Sequence, residues 1–368
     1  MKFDYVIVGA GPAGCIMAER LSTEKKARVL IIEKRDHIGG NLYDYYNDEG
    51  ILIHKYGPHF FFFFKSEVWE YLNKFTTWHY YEHKVMANVK GQLVPFPINL
   101  DTYNTLYNTN LNQVEFEKKL TEFKFTDEPK NAEEAIINQV GQYLYETFFL
   151  QYTLKQWGKH PRELHADTVK RVPVRIDREN RYQLAKYQGL PKKGYTHMMK
   201  NMISNPLISV MLNTDYKTVI SDLSYKKLIY TGPLDYFYDY RFGKLEYRSL
   251  RFEEQTHNQD EYQAHAVINY PNNYDFTRIT EYKKMTGQMS PKTTIHIEFP
   301  EAYTENINDP YYPILDKINT ELKEKYSQLA AQEKDVIFLG RLAEYRYYAM
   351  DDVVEAALHA YSKMGSSK

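Results

Sequence analysis

The 368-residue chain carries 47 lysines and arginines against 48 aspartates and glutamates, a net charge of −1, so no global basic field points to nucleic acid or an anionic membrane. Its apolar runs fall short of the roughly 20 residues of a bilayer-spanning helix, which excludes membrane insertion by a helix. The only cysteine, Cys15, excludes an internal disulfide and a cysteine-built metal cluster, and no metal site is expected. The length suits two or three modules. Met1-Lys2 leads straight into a strand and glycine turn rather than a signal peptide, so a cytoplasmic enzyme is the expected class. The closing Gly365-Ser366-Ser367-Lys368 reads as a disordered tail. The 35 Tyr, 19 Phe and 3 Trp are read mainly as packing. Some Tyr and Trp are expected to line a ligand site, because tyrosine joins a flat face to a hydroxyl.

The first predicted element is an apolar strand, Asp4 to Val8. Gly9, Gly11 and Gly14 follow with G-x-G-x-x-G spacing, then a helix pattern, then a second strand, "VLIIEK", ending in Glu33. Gly9 allows the tight turn, Gly11 lets the backbone approach a pyrophosphate, and Gly14 lets the helix pack close to the sheet. The helix start offers free N–H groups and a favourable dipole to phosphate. Glu33 is placed to hydrogen-bond a ribose, which favours an unphosphorylated adenosine. Pro12, Ala13 and Lys34 join the candidate cofactor contacts. Gly39-Gly40-Asn41 then resembles the second glycine motif of FAD-binding proteins of the glutathione-reductase group, so FAD is expected rather than NAD, with Gly40 and Asn41 among its contacts.

Residues 111–170 read mainly as helices, with apolar residues three and four apart. Asn131 reads as an N-cap with Glu134 three positions on. Tyr152 and Trp157, five apart in "QYTLKQWG", imply a helix end or bend between them, and on pattern alone they read as core. Pro173, Gly189, Pro191 and Gly194 punctuate a return to the cofactor core. "KKLIYTGPLDYFY" (226–238) supplies another strand and turn. Between about 245 and 300, short β-rich segments broken by Pro, Asn or Gly read as antiparallel strands. "DVIFLGRLAEYRYYAMDDVVEAALHAY" closes the chain with strand, turn and helix, and Asp351 near that helix start reads as a cap or a contact to the cofactor's ribitol or phosphates. The fold expectation is α/β: a discontinuous Rossmann-like FAD-binding domain of the glutathione-reductase type, with an inserted helical bundle and an antiparallel β-sheet domain.

With "EKRDHIGGN", "KYGPH", "PFPINL", "LYETFFLQYTLKQWG", "LHADTVKRVPVR", "LPKKGYTHMMK", "LEYRSLRF", "TRITEYK", "DPYYPI" and "GRLAEYRYYAMD" in this order, the chain closely resembles the bacterial UDP-galactopyranose mutases from residue 3 to about 361. The resemblance implies conversion of UDP-galactopyranose to UDP-galactofuranose with reduced FAD. Flavin N5 attacks the anomeric carbon, UDP leaves and later recaptures the sugar, and there is no net redox change. It implies a cofactor domain of residues 1–78, 195–243 and 316–365. A helical domain would take 100–178, with a mobile lid near 165–178, and an antiparallel sheet domain 79–99, 179–194 and 244–315. UDP-galactose, a cellular reductant and a second copy in a homodimer are the implied partners.

A departing diphosphate beside a carbon becoming cationic calls for arginines that fork onto phosphate oxygens. By family match Arg175, on the lid, and Arg278 serve catalysis and the diphosphate. Arg248 joins them as a substrate contact, and Arg341 lies near both flavin and diphosphate. Tyr152 is matched to stacking on the uracil and Trp157 to the sugar. Tyr311, Tyr312 and Tyr347 are matched to hydroxyls on the diphosphate, with Tyr311 preferred over Tyr312. Such a clamp would fix the anomeric carbon for attack. His59 matches a residue beside the flavin, as a general acid or a simple hydrogen-bonding group. Tyr347, Met350 and Asp351 complete the cofactor contacts. Four positions depart from the family pattern. Phe62 and Phe63 replace His and Thr, which implies a greasier flavin wall. His83 stands for Asn, and Ala349 for Asp. These touch the site margin, and an N-acetylated sugar is a related candidate substrate. Two rival functions share the frame: an amine-oxidase-type FAD oxidoreductase, and a non-catalytic binding protein without bound flavin.

Overall fold

The computed structural model describes residues 2–169 and 173–366, which fall into two compact units. The first comprises Met1–Tyr81, Ala185–Leu245 and Glu321–Lys368, the second Glu82–Leu184 and Glu246–Thr320.

The first unit is built on a five-stranded parallel sheet in the order Ile208–Met211, Val29–Ile32, Tyr5–Val8, Lys227–Tyr230, Val336–Phe338. Alternation along each strand divides the side chains between two cores. Ile7, Val29, Ile31 and Ile229 pack with Cys15, Ile16 and Met17 of the helix Pro12–Glu24 and with Val354 and Ala357 of the helix Met350–Ser366. Val6, Val8, Leu30 and Ile32 pack on the other face with Tyr216 and Tyr230. Both faces of the central strands Tyr5–Val8 and Val29–Ile32 are covered, which is why these two read as unbroken apolar runs. This is the expected Rossmann-like α/β architecture. The edge strand Ile208–Met211 was not singled out in the sequence; it is short and half-exposed. Gly365 and Ser366 end the last helix instead of starting a disordered tail, and Ser367 and Lys368 lie outside the described residues.

The same unit explains the five-phenylalanine run. Phe61–Phe63 forms a small antiparallel sheet with Tyr187–Pro191 and Trp78–Tyr80. Phe61 and Phe63 point into the core, where Phe63 meets Trp69 and Trp78 edge-on at 4.9 and 5.0 Å. Phe62 lies half-buried on the opposite side of the strand. The expectation that both Phe62 and Phe63 line a cofactor wall is therefore corrected: strand alternation makes Phe63 a core residue. Tyr187–Pro191, expected within the larger antiparallel sheet, pairs here instead.

The second unit holds a seven-stranded sheet in the order Tyr312–Pro313, Tyr247–His257, Thr293–Ala302, Arg278–Glu281, Val267–Asn269, Val85–Val89, Gln92–Phe96. Its pairs are antiparallel except Val267–Asn269 with Val85–Val89. Helices Leu100–Tyr107, Gln113–Phe123 and Ala132–Leu144 pack around Val94, Ile98, Phe116, Ile136 and Val140. Asn131 caps as expected, accepting from the Glu134 amide at 2.9 Å. Asn112 and Glu115 form a full capping box that the sequence reading missed. The long helical run is broken at Gly141, where φ is 80° and an added Cβ would sit 2.8 Å from the Phe123 ring. It resumes as a π turn, Tyr145–Leu150, before the helix Gln151–Trp157. The bend thus precedes Tyr152; Tyr152 and Trp157 share one helix, and Gly158 at φ 66° ends it.

Candidate functional site

The first unit carries the nucleotide-type residues. Gly9 has φ 102°, and a Cβ there would strike Thr231 Oγ1 at 2.1 Å; that hydroxyl donates to the Val8 carbonyl. A Cβ on Gly14 would lie 2.0 Å from the Gly9 carbonyl oxygen. Gly11 differs. Within 4 Å its Cβ would meet only the Gly40 Cα, at 3.8 Å. Gly9 and Gly14 are thus required by the protein's own packing, whereas Gly11 leaves space in front of a helix whose N-cap supplies no side-chain bond. Gly40 abuts Gly11 in turn, so the two glycine turns form one backbone cradle followed by Asn41. Glu33, 8% exposed, accepts from the Ala10 amide at 2.7 Å and the Arg35 amide at 2.9 Å. It ties the second strand to the glycine turn, and each oxygen keeps a lone pair for a ribose hydroxyl. These features fit a dinucleotide cofactor.

The remaining cofactor candidates are spread around this unit. Pro12 and Ala13 open the first helix, and Lys34 points an exposed ammonium to within 3.9 Å of Asp215. His59 sets Nδ1 2.8 Å from the Gly57 carbonyl, while the Tyr195 hydroxyl donates to the His59 carbonyl. Arg341 donates to the Tyr348 carbonyl at 2.8 Å and lies over the Tyr347 ring. Met350 begins the last helix. Asp351 and Asp352 lie in its first turn; Asp352 accepts from the Ala349 amide at 3.1 Å, and the Asp351 carboxylate meets the main-chain amides of residues 351 and 352. Burial, then the neighbouring Asp352, pushes the Asp351 carboxyl up to about 6.

The second unit gathers the residues matched to substrate. Arg278 Nη2 donates to the Tyr152 hydroxyl at 2.8 Å, and its Nε lies 3.3 Å from Glu298. Arg278 and Glu298 are cross-strand partners, and Thr277 donates to the same carboxylate at 2.8 Å. Glu298 is only 3% exposed, whereas the Arg278 side chain keeps 27% of its surface open. Burial pushes the Tyr152 phenol up. His83 is buried nearby and pushed down to about 3, by burial first and by Arg278 second, so its ring is neutral. Asn269, on the strand paired with Arg278, holds a buried Oδ1 without a hydrogen-bond partner. Sequence reading missed both Asn269 and Glu298, whose meaning comes from strand register.

Arg248, matched to the substrate by resemblance, is tied to a helix end. Its Nε donates to the Gln156 carbonyl at 2.8 Å and its Nη2 to the Lys155 carbonyl at 3.0 Å, so the buried guanidinium caps the helix Gln151–Trp157. Helix ends carry unsatisfied carbonyls and a partial negative charge, which a buried arginine suits. Trp157 lies 6.1 Å from the Tyr312 ring. Tyr311 is buried, while Tyr312 is half-buried. Tyr312 opens the strand Tyr312–Pro313, and Tyr311 precedes it. Arg175 donates to the carbonyls of Arg181 and, at 3.0 Å, Tyr182. Lys170, Arg171 and Val172 of the expected lid lie outside the described residues. Among the described residues no group of acidic, histidine or cysteine side chains could hold a metal, and no helix is long and apolar enough to cross a membrane.

The UDP-galactopyranose mutase family model matches residues 147–347, more than half of the chain, and an NAD(P)-binding Rossmann-like domain model matches residues 7–75. A probable UDP-galactopyranose mutase of Klebsiella pneumoniae is 39% identical over 99% of this chain and 95% of its own. A dTDP-fucopyranose mutase of Escherichia coli is 37% identical over 96% of each chain. A crystal structure of reduced UDP-galactopyranose mutase aligns over 100% of this chain and 95% of that one, with a TM-score of 0.77 at 17% identity, a likeness of fold.

Proposed function

The chain belongs to the UDP-galactopyranose mutase family, a family of isomerases, and on that premise we propose that it interconverts UDP-galactopyranose and UDP-galactofuranose. The observation that carries this reading is the Glu298–Arg278–Tyr152 set. A guanidinium held by a buried carboxylate and a tyrosine hydroxyl, with part of its surface open, suits a diphosphate. Such pre-alignment favours a charge that grows on the leaving group. In this reading Tyr152 and Trp157 position the base and sugar, Tyr312 offers a hydroxyl to the diphosphate, and Arg175 joins when substrate arrives.

FAD of the glutathione-reductase-type arrangement is the proposed cofactor, held by Gly9, Gly11, Gly14, Glu33, Gly40 and Asn41. When bound and reduced it would supply N5 as the nucleophile for the anomeric carbon, with UDP leaving and returning and no net redox change. The division of the second unit into a helical part with a lid and a sheet part, a cellular reductant, a homodimer and a cytoplasmic setting belong to the same proposal. The test is incubation of the flavin-loaded protein and UDP-galactofuranose with dithionite and no added acceptor. Formation of UDP-galactopyranose is expected, and none without reductant. Because a relative of similar identity is named a dTDP-fucopyranose mutase, dTDP-fucopyranose forms the second arm. Turnover of that sugar alone would replace the substrate; turnover of neither would refute the reading.

A further inference from the structure

We propose that Lys155 is a positioning residue for the nucleotide-sugar site, pinning the segment between Asn269 and Arg278 to the helix that carries Tyr152 and so holding Arg278 in line. This rests on the functional reading above. The Lys155 ammonium donates to the main-chain carbonyls of Tyr270 at 2.6 Å, Phe276 at 3.0 Å and Asn272 at 3.3 Å. Its three N–H groups therefore meet three acceptors, all on one turn. That turn joins Val267–Asn269 to Arg278–Glu281, whose end residues Asn269 and Arg278 face each other in register.

The turn is stiff enough to transmit the hold. Tyr270, Tyr274 and Phe276 pack their rings on one another at 4.8 to 5.2 Å. Asn272 adds a second tie, donating to the Thr147 carbonyl in the π segment at 2.9 Å. Tyr152 and Lys155 are three apart on one helix and so share a face. That face makes two contacts with the hairpin: the Tyr152 hydroxyl to Arg278, and the ammonium to the turn just before Arg278. Burial, against the weaker pull of Asp275, brings the Lys155 ammonium down to about 8, so a cation here costs the fold something that an apolar side chain would not. Three anchored carbonyls are what the charge provides in return. Releasing them lets the hairpin end drift, and displacements near 1 Å at a positioning group cost up to about 100-fold.

The test measures UDP binding to the flavin-loaded protein by calorimetry, so it reads the site without turnover. Lys155→Met is expected to weaken UDP by about tenfold or more, while the flavin spectrum stays unchanged. In an Arg278→Ala background the same change should cost under about twofold, because the two residues act as one unit. Lys155→Cys alkylated with bromoethylamine rebuilds an ammonium of similar reach and should return affinity to within about threefold of the unsubstituted protein. The chemistry is selective, since Cys15 is buried with its thiol pushed up to about 12. Should Lys155→Met fail to fold, Lys155→Gln, with two donors at shorter reach, is expected to lose about threefold. Unchanged affinity in these variants, or an equal loss without Arg278, would overturn the inference alone. A starting protein that binds neither UDP nor dTDP would overturn the functional reading and the inference with it.

Discussion

Gly11 and Gly14 sit three residues apart in one motif, yet they should fail in different ways. Gly14→Ala places a methyl 2.0 Å from the Gly9 carbonyl oxygen and 3.2 Å from Ile7 Cγ2. Overpacking against backbone that cannot rotate away costs about 3 kcal/mol, and alanine's better helix propensity returns about 1. The net loss is about 2 kcal/mol, or roughly 4–8 °C in Tm for a unit of this size. Gly11→Ala meets only the Gly40 Cα at 3.8 Å, and its backbone at φ −74°, ψ −178° is open to alanine. Its stability should stay within about 0.5 kcal/mol of the parent. Its methyl, however, occupies the approach to the first N–H groups of the helix, where a pyrophosphate would lie. Weakening one or two charge-assisted bonds there costs about 1.4–2.8 kcal/mol, roughly a 10- to 100-fold loss in FAD affinity. Thermal melts of flavin-stripped protein and titration of FAD by fluorescence quenching separate the two. A Gly11→Ala protein that binds FAD like the parent, or a Gly14→Ala protein of unchanged Tm, refutes the reasoning.

Three further outcomes are expected. His83 titrates near 3 in the fold against 6.5 unfolded, so the unfolded chain binds more protons between those values and stability falls as pH drops below 6.5, by roughly 3 kcal/mol at pH 4; His83→Asn should flatten this part of the acid limb in urea unfolding, and an unchanged slope would contradict it. Arg248→Ala strips two helix-end carbonyls of a buried charged donor and should cost about 3 kcal/mol in urea; lost UDP affinity at full stability would instead make Arg248 a direct phosphate ligand. Asp351, raised by burial to about 6, binds its proton more tightly folded than unfolded, so its contribution is present below about 4 and lost as pH rises through 6; Asp351→Asn should raise the Tm of flavin-stripped protein at pH 7.5 but not at pH 3.5, and no difference between the two pH values would rule the burial argument out.

What could be read from the sequence was whatever is local along the chain. The strand–glycine–helix opening, Glu33 at the end of the second strand and the Asn131 cap each need only a few consecutive residues, and each took its expected shape. Properties set by strand alternation or register were hidden. Phe63 turned inward, and Glu298 and Asn269 gained meaning only as cross-strand partners of Arg278. The capping role of Arg248 spans 92 residues to its acceptor carbonyl, a distance no periodicity encodes. At the last helix Asp351 and Asp352 both meet main-chain amides, and which amide each meets depends on where the first turn begins.

The arginines of the second unit divide by the kind of acceptor each already has. Arg248 is buried on helix-end carbonyls, a fixed demand that ligand binding does not relieve. Arg278 is paired with a carboxylate it cannot leave, because Glu298 buried alone would be far costlier than the pair; its value to an anion lies in the surface that remains open. Of these three, Arg175 is the one held by neutral carbonyls of a loop, at Arg181 and Tyr182. A diphosphate offers charge-assisted, forked bonds stronger than those to carbonyls, and the carbonyls given up can turn to water. The exchange therefore favours the ligand only when an anion is present. On the proposed function, Arg278 supplies the standing charge that selects a diphosphate, and Arg175 the charge recruited by it.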